Sequence, residues 1–304
     1  MTGADRKPVI AVTVGDPSGI GPEIAAKAAD DVRVRAACLP LLYGPATVPA
    51  LLEFPAGEVD ARSGRAAYDA IVRAVEDARA GRVDAIATAP INKASWAAAG
   101  LSWRGHTDLL AHLCGVSDVA MLFWSDPLRV VLATVHIPLA EVPAALTESR
   151  VVEVIRLTAR SLPRFGIPAP RLAVAGLNPH AGESGLLGKE DAAVIAPAVS
   201  RAQAEGVDVA GPIPADTVFV RALRGEFDCV IACYHDQGLV PVKVLAFGRA
   251  VNVTLGLPII RTSVDHGTAF DIARTGRADP SSLIEAILLA ATLARAGRGQ
   301  ASSG

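Results

Sequence analysis

Aromatic residues are scarce in this sequence, making up 4% of its 304 positions, and there are only two methionines. With 51% of residues apolar, the core must be built from Ala, Val, Leu and Ile. That composition suits helices packed on a buried parallel sheet. Cysteine is scarce too: Cys38, Cys114, Cys229 and Cys233 are the only four. None has CxxC or zinc-finger spacing, which argues against a thiolate metal knot and predicts buried free thiols in a reducing compartment. No excess of one charge exists either, with 29 basic and 31 acidic residues, so no nucleic-acid or membrane surface is expected. No apolar run approaches the roughly 18 residues of a membrane span. The segment Met1–Lys7 has no apolar signal region, so a cytoplasmic location is expected.

What the sequence does have is a series of short apolar runs ending in polar turns. Val9–Val14 predicts a strand that runs into Gly15-Asp-Pro-Ser-Gly-Ile-Gly-Pro-Glu23, with Pro22 placed to start a helix. The turn is not a dinucleotide fingerprint, because Ile24 stands where the third glycine belongs and no Gly-Lys-Ser/Thr follows. It is either a tight strand-to-helix turn or a loop that lines a ligand. Cys38–Tyr43, Val83–Thr88, Leu172–Gly176 and Asp228–Cys233 predict further strands; Ser63–Ala80, Ser149–Arg164, Glu190–Glu205 and Ser281–Ala296 predict helices, Pro197 kinking or splitting the third. Val119–Trp124 and Leu128–Val135 flank Ser125-Asp-Pro127 as a hairpin, so the sheet is mixed rather than purely parallel. The predicted fold class is α/β.

In open α/β sheets, ligands bind where parallel strands end. Four of the six histidines follow apolar strand-like runs: His136, His180, His235 and His266. The first three share a context of strand followed by a Pro- or Gly-bearing turn, and three imidazoles with an open position make a catalytic metal site. Alternatively, each caps a strand end. Tyr234-His-Asp-Gln-Gly238 reads as a polar loop in which Gly238 lets the chain turn toward Lys243. His106 follows Gly105 at a helix start that could offer N–H groups to an anion; it is either a substrate contact or an ordinary surface histidine. Asp216 and Asp236 are candidate acid/base groups, and Lys93 and Lys243 supply positive charge. A lysine beside an aspartate can relay a proton; otherwise these are turn residues and solvated charges.

Six blocks occur in order: Gly15–Glu23, Gly105-His-Thr-Asp108, Asn178-Pro-His-Ala-Gly-Glu183, Pro214-Ala-Asp-Thr217, Tyr234–Gly238 and Asp265-His-Gly-Thr-Ala-Phe-Asp271. Together they resemble the 4-hydroxythreonine-4-phosphate dehydrogenase family of pyridoxal phosphate biosynthesis, over about Val9 to Ala273. The resemblance implies oxidation of a secondary alcohol with NAD or NADP, and a product that loses CO₂ if it is a β-keto acid. It also implies a divalent metal (Zn, Mg, Mn or Co) held by His136, His180 and His235. Substrate contacts fall on His106, Thr107, Lys243, Asn252 and Arg261, and Lys93 with Asp216 is the implied proton relay. The family's likeness to isocitrate and isopropylmalate dehydrogenases implies a two-domain, three-layer α/β/α fold. It places cofactor contacts on His266, Gly267, Thr268 and Asp271. The expected division is 1–125 with 248–304 on the cofactor side, and 126–247 for metal binding and dimerisation, in a homodimer whose subunits share the metal site. The expected substrate is a small phosphorylated hydroxy acid, first 4-phosphohydroxy-L-threonine. Asp108 stands where many vitamin-pathway members carry Glu, which points instead toward 4-phospho-D-threonate, 4-phospho-D-erythronate or a cis-dihydrodiol carboxylate. An acyl or phosphoryl transferase and a non-catalytic metal-binding relative are the competing classes.

Overall fold

The computed structural model describes residues 6–301. Its strands in chain order are β1 (Val9–Thr13), β2 (Leu39–Tyr43), β3 (Ala85–Thr88), β4 (Ala120–Trp124), β5 (Arg129–Leu132), β6 (Leu172–Ala175), β7 (Val209–Ile213), β8 (Cys229–Ala232), β9 (Val251–Leu255) and β10 (Arg261–Ser263). The chain forms two units, Met1–Ser117 with Val251–Gly304, and Asp118–Ala250. The first boundary falls earlier than the expected residue 125. The reason is the hairpin: β4 and β5 pair antiparallel, Leu122 opposite Val131, so they stay in one unit.

In the first unit the strand order is β2-β1-β3-β10-β9, parallel except for β10 against β9. Every residue of β1 and β3 is buried, as small and branched apolar runs covered on both faces should be. The helix Gly21–Asp30 carries its proline in the first turn, as predicted. The helix Ala61–Arg79 starts at Asp60, whose carboxylate accepts the Ser63 N–H at 2.9 Å. Gly19 and Gly21 of the first loop lie hard against other parts of the chain. A Cβ on Gly21 would lie 2.1 Å from the Val14 carbonyl oxygen, and one on Gly19 would lie 2.8 Å from Thr268. Both glycines are occupied in packing the chain against itself.

In the second unit the order is β4-β5-β8-β6-β7, parallel except for the hairpin. Its core gathers Val130, Leu132, Ala173, Val230, Leu239 and Val242. The predicted helix Glu190–Glu205 is split: Asp191–Ile195 is a π-turn and Ala196–Ala204 an α-helix with Pro197 in its first turn. Two readings are corrected. Tyr234–Gly238 is not a loop, because the helix His235–Ala246 begins at once, and Lys243 rides on it. Gly238 is not a turn residue either. It is buried in that helix, and a Cβ there would meet Leu132 Cδ2 at 2.7 Å and Val130 Cγ1 at 2.8 Å. The glycine lets the helix approach β5 closely. Among the described residues, no helix is long and apolar enough to cross a membrane.

Candidate active site

In the first unit, two successive helices after β3 set candidate side chains at their N-termini. Lys93 opens the helix Lys93–Ala98, whose cap Asn92 accepts the Ser95 N–H at 2.9 Å. His106 opens the helix His106–Cys114 after Gly105, with Thr107 in the same turn. Lys93 lies beside that second start, since a Cβ on Gly105 would be 3.8 Å from Lys93 Cε. The imidazole of His106 packs edge-on to buried Trp96, ring centroids 6.1 Å apart.

The register of β9 and β10 adds the rest. Ser263 pairs with Asn252, so Arg261 stands opposite Thr254 and all four side chains share one face. Arg261 is 2% exposed. Its guanidinium donates to Thr254 Oγ1 at 3.0 Å and Thr88 Oγ1 at 2.7 Å, both neutral acceptors. Burial pushes the guanidinium down to about 9, the expected sign for a cation removed from water. His106 is held well below the usual imidazole range, first by burial and then by the charge of Arg261. Three buried polar atoms in this group have no hydrogen-bond partner: His106 Nε2, Asn252 Oδ1 and Arg261 Nε. A buried cation with neutral partners, beside orphaned polar atoms, is a place prepared for an anionic, hydrogen-bonding ligand.

The candidate cofactor loop belongs to the same unit. His266, Gly267 and Asp271 are exposed, and the Thr268 carbonyl accepts the Ile20 N–H at 3.0 Å. The loop is thus anchored on the first glycine turn, with Thr268 packed against Gly19 and His266 and Asp271 left exposed. Asp16, given no role by sequence reasoning, is fully buried in that turn and accepts the Ser18 N–H at 2.9 Å. Burial pushes its carboxyl up, against the pull of that bond.

In the second unit the three candidate metal histidines follow the ends of three neighbouring parallel strands: His136 after β5, His235 after β8 and His180 after β6. His136 and His235 stand together, ring centroids 5.6 Å apart, on one pocket with Thr134, Tyr234 and Asp236. His235 Nδ1 engages Asp236 Oδ1 at 2.7 Å, and His180 Nδ1 engages Glu183 Oε2 at 2.8 Å. In both, the carboxylate fixes the ring and leaves Nε2 to face a ligand. Among the described residues, no three His, Cys, Asp or Glu side chains cluster closely enough to hold a metal ion. One chain therefore offers the His136–His235 pair, with His180 apart from it. The pair's chemistry and spacing fit a divalent metal as two of its ligands. Lys243 sits over the Phe247 ring at 5.9 Å. Asp216 is exposed in the first turn of the helix Ala215–Leu223, and Lys93 is exposed in the other unit, so the proposed relay partners are not neighbours within one unit.

The fold and these residues define an α/β protein with a buried anion-seeking cation in one unit and strand-end histidines in the other. The chain belongs to the PdxA family of pyridoxal phosphate biosynthetic proteins, whose model matches residues 20–290. It is 46% identical to the 4-hydroxythreonine-4-phosphate dehydrogenase of Desulforapulum autotrophicum, covering 94% of this chain and 96% of that one. It is 44% identical to a Symbiobacterium thermophilum protein provisionally named a D-threonate 4-phosphate dehydrogenase, over 97% and 99% of the two chains. The crystal structure of the Klebsiella pneumoniae 4-hydroxythreonine-4-phosphate dehydrogenase superposes with a TM-score of 0.86 at 42% identity, covering 95% of this chain and all of that one.

Proposed function

We propose that the protein is a metal-dependent dehydrogenase that oxidises a hydroxyl group of a small phosphorylated hydroxy acid, with NAD or NADP as acceptor. 4-Phosphohydroxy-L-threonine is the proposed substrate, going to 3-amino-2-oxopropyl phosphate with loss of CO₂. The observation that carries this reading is Arg261, a buried guanidinium with two neutral acceptors, beside the orphaned His106 Nε2 and Asn252 Oδ1. Relatives across nearly the whole chain are named for substrates of this kind.

Each unit has its own task in the proposed mechanism. His106, Thr107, Asn252 and Arg261 hold the anionic substrate, the helix start at His106 adding backbone N–H groups, and Lys243 adds a further cation. His136, His180 and His235 would hold the divalent ion, Zn, Mg, Mn or Co. When bound, the ion would ease ionisation of the substrate hydroxyl and the nicotinamide would take the hydride. Lys93 and Asp216 are the side chains assigned to accept the hydroxyl proton. His266, Gly267, Thr268 and Asp271 receive the adenosine end of the cofactor. Because His180 stands apart from the other two histidines, the third ligand is assigned to a second copy of the chain. A homodimer is supported by apolar side chains exposed on the second unit: Leu186 at 83%, Phe247 at 80% and Val244 at 79%.

The second reading is 4-phospho-D-threonate as substrate. Asp108 and the Symbiobacterium relative favour it. The test is a panel of 4-phosphohydroxy-L-threonine, 4-phospho-D-threonate and 4-phospho-D-erythronate, each with both nicotinamide cofactors and a divalent metal. Reduced-cofactor absorbance should grow with one of them and vanish on chelation. If no compound reduces either cofactor, and chelator changes nothing, the dehydrogenase reading is wrong.

A further inference from the structure

The His235 and His180 arms leave the sheet from adjacent strands, and one side chain ties them together. Gln237 accepts the Cys233 N–H on Oε1 at 2.6 Å and donates from Nε2 to the Gly176 carbonyl at 2.7 Å. Cys233 is the residue just past β8, two before His235, and Gly176 is the residue just past β6, four before His180. Both backbone groups lie where the strand ladder ends and leaves them in need of partners. Cys233 is the centre of this knot. Its carbonyl accepts Thr134 Oγ1 at 2.7 Å, from the arm that leads to His136, and its thiol reaches the Ala175 carbonyl at 3.2 Å. Beyond Gly176, the buried Asp191 carboxylate takes the Leu177 and Asn178 N–H groups at 2.8 and 3.1 Å. All three histidine arms are thus fixed by hydrogen bonds at the strand ends, and Gln237, together with the Cys233 thiol, links the His235 and His180 arms.

We infer that Gln237 is a positioning residue for metal binding: it holds the His235 arm, which serves this chain's own ion, at a fixed spacing from the His180 arm, which reaches the ion of the second copy. The inference rests on the metal reading given above. The chemistry requires this side chain. One end must accept an N–H and the other must donate to a carbonyl, across two strands, and a glutamine amide does both without having to gain or lose a proton. Glutamate would turn a carboxylate oxygen toward the Gly176 carbonyl, replacing a donor by an acceptor. Methionine would keep the length and offer neither group. Loss of partners that orient metal ligands typically weakens affinity about 10- to 100-fold.

The test uses the full chain loaded with Co²⁺ in competition with a chromophoric chelator, alongside the visible spectrum of the bound ion. Q237E and Q237M should keep the far-UV circular dichroism of the wild type. Both should bind Co²⁺ about 10- to 100-fold more weakly, with altered band positions and intensities. A change in stability alone would leave the spectrum of the bound ion as it was. If Q237E does not fold, Q237M carries the comparison. Wild-type affinity and spectrum in the folded variants would overturn the inference and leave the metal reading intact. A wild-type protein that takes no ion from the chelator would overturn the metal reading and the inference with it.

Discussion

Arg261 gives the most direct test of the site, because stability and binding should move in opposite directions there. Burial lowers its guanidinium to about 9, a fall of about 3.5 pH units from the ordinary arginine value, worth about 5 kcal/mol. The folded protein carries that cost near neutral pH. Arg261→Met removes the charge and keeps much of the stem's volume. It also loses the bonds to Thr88 and Thr254, at about 1 kcal/mol each. The variant should therefore be more stable than the wild type by about 1–3 kcal/mol in phosphate-free buffer. Arginine keeps its proton in both the folded and the unfolded chain across the pH range of such assays, so the whole cost is present throughout it.

Inorganic phosphate should narrow or reverse that difference. At about a hundred times its Kd, a ligand that binds only the folded state adds about 2.7 kcal/mol. The wild type should gain it and Arg261→Met should not. Equilibrium urea unfolding with and without phosphate measures both effects, and kcat/KM on the active substrate should fall by about 100-fold or more, the loss of one charged contact. A variant less stable than the wild type without phosphate, and stabilised equally by it, would refute the reasoning.

Two other sites yield predictions. His106, held below its usual range by burial and by Arg261, stays neutral in the folded chain while the unfolded chain protonates below about 6.5. Its contribution is therefore complete above that pH and lost as pH falls through it. The unfolding free energy of His106→Gln should drop less than that of the wild type between about pH 8 and about pH 5; parallel curves would remove His106 from the buried site. Gly238→Ala gains helix propensity of about 1 kcal/mol but forces a methyl within 2.7 Å of Leu132 and 2.8 Å of Val130. Overpacking of that kind costs about 1–3 kcal/mol, so a net loss of up to about 2 kcal/mol is expected in urea unfolding. Equal stability would show that the close approach imposes nothing.

The strands were legible because their apolar runs are short, unbroken and closed by Gly, Pro or charge, as Val9–Thr13 and Cys229–Ala232 are. The histidines after β5, β6 and β8 were legible for the same reason, since a polar residue after such a run lands at a strand end. Helix starts on polar residues were harder. His235–Ala246 contains Gly238 and Pro241, and Gly238 reads as a loop former because its packing partners, Leu132 and Val130, lie far away in sequence. Gln237 stood in a motif already singled out, yet its role depends on Gly176, 61 residues away. Asp191 lies at the start of a helix-like run and reads as an ordinary first-turn acid. Only the fold shows it gripping the N–H groups of Leu177 and Asn178.

The backbone around the histidines carries its own argument. His180, Ala181, Gly182, Glu183 and Ser184 follow one another with φ between 42° and 84°. Four of these five are not glycine, and each such residue costs roughly 1–2 kcal/mol in the left-handed region. His136 also has φ 50°. Left-handed conformations normally occur as single residues, so a run of five persists only where its surroundings hold it. Those surroundings are visible: Asp191 fixes the entry to the turn through Leu177 and Asn178, and Glu183 engages His180 from within it. A Cβ on Gly176 would come within 2.9 Å of Ala181, so the turn also folds back tightly on its own strand. A sequence selected only for stability would relieve such strain with a few substitutions to glycine or asparagine. Keeping it, with an exposed imidazole at its first left-handed position, makes sense when the direction of that imidazole matters more than the strain, as it would for a ligand that must meet a metal held with a second copy of the chain.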